Sequence, residues 1–225
     1  MTTPTPTDLK ATPQHEDFAH KYTDEGSGFV GSKLLNGYFK NVKKLLEVSA
    51  VTGGRAIELG CGEGFSTERL RAMLPDSITL DASEYVASLV PLAQVKNPTV
   101  TVIEESIYDL QHAPETYDLV FLLEVLEHLD YPEQALEQIA KILKPGGKLI
   151  LGVPREPIWR GLNMARGKYL KDLGNTVGHL NHWSSKELVN FMKTHFGLVL
   201  EKKQPLPWTI VLCEKPLVPR SKSEN

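Results

Sequence analysis

Three short stretches of the sequence combine residue types that take part in binding and catalysis. In "GCGEG", Gly60, Gly62 and Gly64 occupy alternate positions, and Glu58 precedes them by two residues. Further along, "EVLEHL" joins two carboxylates to an imidazole, and "GHLNHW" adds two more histidines. Glycines let backbone approach a ligand closely, while Glu and His side chains transfer protons or bind metal ions. These stretches predict a ligand-binding turn and a separate group of ionisable side chains.

The glycine spacing narrows the class of ligand. The pattern is G-x-G-x-G with no Lys-Ser or Lys-Thr pair after it, which excludes the phosphate-binding loop of nucleoside triphosphatases. A carboxylate at Glu58 would repel the pyrophosphate of a dinucleotide but would attract a cation. The turn therefore favours a cationic ligand, and a tight turn without any ligand is the alternative.

Composition and charge limit the class of protein. With 225 residues, 41% of them apolar, the chain is long enough for one domain with a large core. A net charge of -3 gives no sign of a nucleic-acid partner. The two cysteines, Cys61 and Cys213, predict no disulfide framework, and no run is apolar enough for a signal peptide or a membrane span. We predict a soluble protein of the cytoplasm.

Strand-like and helix-like segments alternate along the chain. The strand-like runs are "RAIEL", "SITLDAS", "TVTVIEES", "YDLVFLLE", "KLILGVP", "LVLEKK" and "WTIVLCEK". Helical segments are predicted over residues 33–48, from Gly64 to about Leu74, over 84–95 with a bend at Pro91, over 132–143, and after Ser184, which forms a capping box with Glu187.

This alternation predicts an α/β fold with a doubly wound, mostly parallel sheet, because right-handed crossovers connect parallel strands. Ligands of such sheets bind at the carboxyl ends of the strands. The glycine turn is expected at that edge, as are Asp81, Glu105, Ser106 and Glu124, each at the end of its own strand.

The rest of the chain divides around this core. Residues 1–22, rich in Thr, Pro and charge, are predicted to be a disordered extension, and residues 216–225 a flexible tail. The domain proper is predicted over 23–215. Within it, residues 154–183 show no clean long period and are expected to form an insertion that acts as a substrate lid.

Four motifs, in this order and spacing, resemble the motif series of class I S-adenosylmethionine-dependent methyltransferases. They are "AIELGCGEG", "LDAS", "YDLVFLLEVLEHL" and "LKPGGKLILGVP", and the resemblance covers roughly residues 35–213. It implies a seven-stranded, Rossmann-like sheet whose last strand is antiparallel. It also implies S-adenosylmethionine as methyl donor and S-adenosylhomocysteine as product.

The resemblance also implies which residues hold the methyl donor. Gly60, Cys61, Gly62 and Gly64 would form the turn under its methionine part, with Glu58 near the ammonium group. The other positions are Asp81 as acceptor for both ribose hydroxyls, Ala82 and Ser83 beside the adenine, Ser106 with Ile107 near the adenine amino group, Glu105 as a second candidate there, and Glu124 facing donor and acceptor.

The "EVLEHL" stretch has two chemical interpretations. If the turn after the fourth strand is helical, Glu124, Glu127 and His128 lie at i, i+3 and i+4 and share one face. They could then bind a divalent metal that orients a chelating acceptor, or His128 could act as a base, with Glu127 beside it. A structural or positioning role for His128 is favoured over both, and no metal is predicted.

The insertion offers a second group of candidates. His179 and His182 lie in a loop expected to arch over the acceptor, where either could act as a base; the alternative is that they only hold the loop together. Basic and aromatic residues precede them: Arg155, Trp159, Arg160, Arg166, Lys168, Tyr169 and Lys171. These could receive an anionic or lipid-like acceptor, or form a solvated face.

The function predicted from these features is methyl transfer to oxygen, carbon or nitrogen of a small molecule by in-line displacement. "EVLEHL" resembles the quinone-biosynthesis and general metabolite branch. No "NPPY" or "DPPY" follows the fourth strand, which disfavours nucleic-acid or protein nitrogen as acceptor. The alternatives are an RNA or protein methyltransferase and a non-catalytic nucleoside-binding module of the same fold. A nicotinamide-dependent oxidoreductase is disfavoured by the glycine spacing.

Overall fold

The computed structural model describes residue 9, residues 24–176 and residues 178–217. The predicted disordered extension lies outside these residues except for Leu9, and the predicted tail lies outside them from residue 218 onward. Within the described part of the chain, no helix combines the length and apolar character needed to cross a membrane.

Six α-helices and seven strands are described. The helices are α1 (Asp24–Ser49), α2 (Phe65–Met73), α3 (Val90–Lys96), α4 (Pro132–Ile142), α5 (Ile158–Ala165) and α6 (Ser185–His195). The strands are β1 (Gly54–Leu59), β2 (Ile78–Glu84), β3 (Thr101–Glu104), β4 (Tyr117–Leu123), β5 (Leu143–Pro154), β6 (Leu198–Lys203) and β7 (Trp208–Glu214). Single 3-10 turns span Leu126–His128 and Leu170–Asp172.

The strands form one sheet in the order β3-β2-β1-β4-β5-β7-β6. Pairing is parallel from β3 through β5, and β7 is antiparallel to both β5 and β6. This confirms the predicted doubly wound, mostly parallel sheet with an antiparallel last strand. The order reverses direction on either side of β1, so the ends of β1 and β4 form the crevice in which such sheets bind ligands.

Apolar layers cover both faces of the sheet. On one face, α1 packs through residues such as Tyr38, Val42 and Leu45. On the other face, α4 and α6 contribute Leu136 and Leu188 among others. Strand β4 and the second half of β5, residues 149–154, are almost entirely buried, which explains their apolar sequences.

Local details differ from the sequence predictions at two helices. Pro91 lies in the first turn of α3 rather than bending a longer helix, because a proline needs no amide donor there. The insertion is not irregular throughout, since α5 occupies its first part. The capping box at the start of α6 is confirmed, with the Glu187 amide donating to Ser184 Oγ and the Ser184 amide donating to Glu187 Oε2.

Candidate functional site

A pocket lies where the carboxyl ends of the first four strands meet. Its walls come from the ends of β1 and β2, the loop after β3 and the turn after β4, and they include Leu59, Gly60, Ser83, Glu84, Glu105, Ser106, Ile107, Glu124, Val125 and His128. Three of these residues, Glu84, Glu105 and Glu124, are buried acids. The pocket is therefore at the predicted edge and is strongly acidic.

The turn after β1 presents backbone to this pocket. Gly60, Gly62 and Gly64 have φ values of 75°, 56° and 81°, in the left-handed region that favours glycine. The Gly60 amide donates to the Ser83 carbonyl at 2.8 Å, which ties the turn to β2. A Cβ on Gly60 would lie 2.6 Å from Val125 Cγ2. Val125 therefore packs directly against the backbone of Gly60 and leaves no room for a side chain at that position.

Asp81 and Glu84 are separated by three positions on β2, so their side chains leave opposite faces of the sheet. Asp81 accepts hydrogen bonds from Arg55 Nη2 at 2.6 Å and from the Tyr117 hydroxyl at 3.0 Å, and it does not line the pocket. Glu84 does line it, and its Oε2 accepts the Gly62 amide at 2.7 Å. The prediction that Asp81 ends its strand is wrong, because β2 continues to Glu84.

Glu58 and Cys61 are buried at the base of the turn. The Thr67 hydroxyl donates to Glu58 Oε2 at 2.6 Å. Burial raises the pKa of Glu58 to about 7, although hydrogen bonds from Ser66 and Thr67 oppose this rise. Burial also raises the pKa of the Cys61 thiol, which favours a packing role over nucleophilic chemistry. Contact of Glu58 with the ammonium group of a ligand stays a prediction.

The loop after β3 brings Glu105, Ser106 and Ile107 to the pocket together. Glu105 Oε2 accepts the Gln111 amide at 3.1 Å, and its Oε1 lies 2.9 Å from His112 Nε2. The Glu105 carboxylate is therefore held from behind by two groups. Its place in the wall makes it as good a candidate as Ser106 for contact with a bound base.

Of the other residues predicted to contact the methyl donor, one lines the pocket and the rest lie beside it. Ser83 lines the pocket, whereas Ala82 is fully buried within β2. Gly62 and Gly64 form the turn without belonging to the wall. Gly64 packs against α3, because a Cβ there would lie 2.9 Å from Ala93 Cα.

Glu124 follows β4 directly and lines the pocket. Its φ of 60° lies in the left-handed region, which residues with a side chain adopt rarely and often at functional positions. Its amide donates to the Gly152 carbonyl at 2.9 Å. Because this backbone is not helical, Glu124 does not share a helix face with Glu127 and His128. That expectation is wrong.

A different trio forms instead. Glu127, His128 and His179 each offer one ligand atom, and these atoms lie within 4.8 Å of one another. His128 Nδ1 lies 2.9 Å from the Gly178 carbonyl, which assigns the proton to Nδ1 and directs Nε2 elsewhere, 4.0 Å from Glu127 Oε1. The rings of His128 and His179 meet edge to face at 4.8 Å. One carboxylate and two imidazoles can move a proton or bind a divalent transition metal.

Main-chain and side-chain hydrogen bonds hold the insertion against the turn that carries Glu127 and His128. The amides of Leu180 and Asn181 donate to the Glu127 carbonyl at 2.9 and 3.0 Å, and Asn181 Nδ2 donates to the Leu129 carbonyl at 2.7 Å. Trp159, on α5, stacks on His179 at 6.1 Å. The insertion, which follows β5, thus packs on the turn after β4 and places His179 next to His128.

His182 lies apart from the pocket and the trio. Its Nε2 is 2.5 Å from Asn175 Oδ1, and burial lowers its pKa. Among the basic residues of the insertion, Arg160 pairs with Glu156 at 3.5 Å, whereas Arg166 is exposed. These contacts favour a loop-holding role for His182.

Sequence reasoning missed Glu84 and the pairing of His179 with His128. The sequence pattern assigns Glu84 to a following helix, whereas in the structure β2 extends to Glu84 through its pairing with Glu104 of β3. No local sequence signal marks that pairing. The second pairing has no local signal, because 51 positions separate the two histidines.

Comparison with known proteins supports the class defined by this fold and site. The family described as "Methyltransferase domain" matches residues 57–151. The Aliivibrio fischeri protein named ubiquinone biosynthesis O-methyltransferase is 30% identical over 59% of this chain and 57% of its own length. A Methanococcus maripaludis structure, provisionally assigned to the S-adenosyl-L-methionine-dependent methyltransferases, superimposes with a TM-score of 0.68 at 15% identity, covering 93% of this chain and 98% of that one.

The same fold also carries other chemistry. The [4+2]-cyclase SpnF superimposes with a TM-score of 0.62 at 15% identity, over 80% of this chain and 82% of its own. Fold alone therefore does not define a reaction.

Residues 57–151 thus match the methyltransferase-domain family, and the sheet topology and the ordered motifs are those of the class I S-adenosylmethionine-dependent methyltransferase fold. The chain spans 57% of the length of the Aliivibrio fischeri relative.

Proposed function

We propose that the protein transfers the methyl group of S-adenosylmethionine to a small-molecule acceptor. The observation that carries this proposal is the edge of the pocket where Glu84, a buried acid, accepts the Gly62 amide of the glycine turn, with open space beside Gly62. A carboxylate next to open backbone fits the diol of a ribose and the close approach of a nucleoside.

The residues that would hold the methyl donor follow from the wall of the pocket. Glu84, rather than Asp81, is the acceptor for the ribose hydroxyls, because Glu84 lines the pocket and Asp81 does not. The adenine belongs beside Glu105, and the Gly60 turn belongs under the methionine part. S-adenosylmethionine supplies an activated methyl group, so the protein contributes mainly alignment.

The acceptor belongs on the side of His128, which lines the pocket. Its Nδ1 contacts the Gly178 carbonyl, and in this proposal its Nε2 takes the proton from a hydroxyl acceptor, with Glu127 and His179 stabilising the imidazolium. Relatives named ubiquinone biosynthesis O-methyltransferase favour oxygen as the methylated atom.

The same trio supports a second mode of action. A divalent metal at Glu127, His128 and His179 would orient a chelating acceptor, and the Nδ1 contact of His128 is the kind of outer hydrogen bond that metal-binding histidines have. Activity that disappears on chelation and returns with one divalent ion would support this mode. Full activity in excess chelator would exclude the metal mode and support His128 as a general base.

The surface of the insertion supports an acceptor with apolar and anionic parts. Leu170 and Leu173 expose 59% and 71% of their areas, and they lie on one side of a 3-10 turn. Arg166, Lys168 and Lys171 are exposed around them. This combination is typical of surfaces that meet lipid-like molecules.

A labelled-methyl assay tests the proposal. The protein is given methyl-labelled S-adenosylmethionine with phenolic acceptors with and without long apolar tails, and with bulk RNA and unrelated protein. We expect label on the phenolic compounds, most with an apolar tail, and none on RNA or protein. Label on a macromolecule would favour the alternative acceptors, and cofactor binding without any transfer would favour a nucleoside-binding module.

A further inference from the structure

A series of hydrogen-bonded side chains runs behind the pocket to Glu105, and its other members have no role in the function proposed above. Arg55 Nη2 donates to Asp81 Oδ2 at 2.6 Å, and the Tyr117 hydroxyl donates to the same oxygen at 3.0 Å. The Tyr117 oxygen lies 3.1 Å from His112 Nδ1, and His112 Nε2 lies 2.9 Å from Glu105 Oε1. This series of hydrogen bonds thus connects Arg55 on β1 to the pocket wall at Glu105.

The members between Arg55 and the pocket are shielded from solvent, whereas the Arg55 side chain exposes 51% of its area. The side chains of Asp81 and Glu105 expose 6% and 2% of their areas, and that of His112 exposes 12%. Tyr117 is fully buried, and its ring meets the His112 ring edge to face at 5.1 Å. Carboxylates at such depth need donors, because water cannot solvate them.

Donor counting assigns the protons. Tyr117 has one hydroxyl proton, and the Asp81 carboxylate can only accept. Tyr117 donates that proton to Asp81, and its oxygen faces His112 Nδ1. Glu105 Oε1 is an acceptor that faces His112 Nε2, so the hydrogen bond there needs a proton on Nε2.

We propose that His112 is a positioning residue that holds the Glu105 carboxylate, as an acceptor, in the base-binding end of the pocket. Tyr117 and Asp81 fix the far side of the imidazole. This inference rests on the proposed function, because it makes Glu105 the acceptor for the exocyclic amine of the adenine. An inosine-type base has a carbonyl oxygen at that position, which a fixed carboxylate repels.

Base selectivity gives a direct test. Titration calorimetry compares S-adenosyl-L-homocysteine with S-inosyl-L-homocysteine on the wild type, His112→Phe and His112→Gln, with His195→Phe on exposed α6 as the matched control. We expect the wild type and control to prefer the adenine ligand by at least about tenfold, the scale of one hydrogen bond to a charged group. His112→Phe should reduce this ratio to about twofold, and His112→Gln, which keeps an N–H donor, should restore most of it.

Two results would overturn the inference. One is an unchanged ratio in His112→Phe. The other is equal weakening of both ligands in His112→Phe and His112→Gln, which is the mark of a general packing defect. Tyr117→Phe, which keeps the ring but removes the link to Asp81, should lower the ratio less than His112→Phe. Failure of the wild type to bind either ligand would instead count against the proposed function.

Discussion

The two halves of the site are built differently. The donor half, at the ends of β1, β2 and β3, consists of main-chain turns and carboxylates held by short hydrogen bonds, such as Gly62 to Glu84 at 2.7 Å. The acceptor half, the turn after β4 and the insertion, brings residues from distant parts of the chain into contact, such as His128 and His179. The donor half is thus set by local strand geometry and the acceptor half by tertiary packing. Variants in each half should therefore affect different measurements.

The largest effect is expected in the acceptor half. His128→Asn removes the candidate base or metal ligand, so kcat should fall by about 100-fold or more, the usual contribution of general acid–base catalysis. Affinity for S-adenosylhomocysteine should change little. His182→Asn is the control, since His182 contacts Asn175 outside the trio. Equal losses in the two variants would show that the trio has no special role.

The next largest effect is expected on the free energy of unfolding, from variants in the glycine turn of the donor half. Gly64→Ala combines a left-handed φ with a Cβ 2.9 Å from the Ala93 backbone, whereas Gly62→Ala has a left-handed φ and open space. We expect free energies of unfolding to fall by roughly 2–4 kcal/mol for Gly64→Ala and by about 1 kcal/mol for Gly62→Ala. Denaturant unfolding measures both, and similar losses would contradict the packing of the turn on α3.

Glu58 predicts a pH dependence confined to the donor half. Because its folded pKa is raised to about 7 by burial, the folded state binds the proton more tightly than the unfolded state, so stability is fully present below the unfolded pKa and declines as pH rises through 7. The contribution is on the order of 1–3 kcal/mol. Glu58→Gln should flatten the dependence of unfolding free energy on pH between about 4.5 and 7. An unchanged slope would mean that Glu58 is not the titrating group.

The smallest effect on stability is expected at Glu124, where two variants separate the backbone strain from the role of the side chain in methyl transfer. Glu124→Gly relieves the left-handed backbone at φ 60°, so it should stabilise the fold by about 0.5–1 kcal/mol while lowering methyl transfer. Glu124→Gln is the matched control, because it removes the charge and keeps the strain. If the Glu124→Gly protein is no more stable than wild type, the claim that the backbone at Glu124 is strained is wrong.

The contrast also explains what the sequence could predict. The doubly wound, mostly parallel sheet follows from the alternation of strands and helices, and the family resemblance implies the antiparallel last strand; the structure confirms both. The glycine turn follows from its local pattern and has the expected left-handed backbone. The error at Asp81 arose because a motif marks a strand but not its last residue, and pairing with β1 and β3 extends β2 to Glu84. The helix expected at Glu124 failed because its amide bonds to Gly152 on β5, a contact that no local pattern encodes. The pairing of His179 with His128 depends on how the insertion folds back, which is likewise non-local.

The central claim, that Glu84 at the end of β2 anchors a nucleoside methyl donor, is tested most directly by calorimetric titration with S-adenosylhomocysteine. The wild type should bind one equivalent, Glu84→Gln should bind about 10- to 100-fold more weakly, the cost of a lost hydrogen bond to a charged group, and Asp81→Asn should lose no more than about threefold. A larger loss in Asp81→Asn than in Glu84→Gln would contradict the assignment. Binding of NADH in place of S-adenosylhomocysteine would contradict the function.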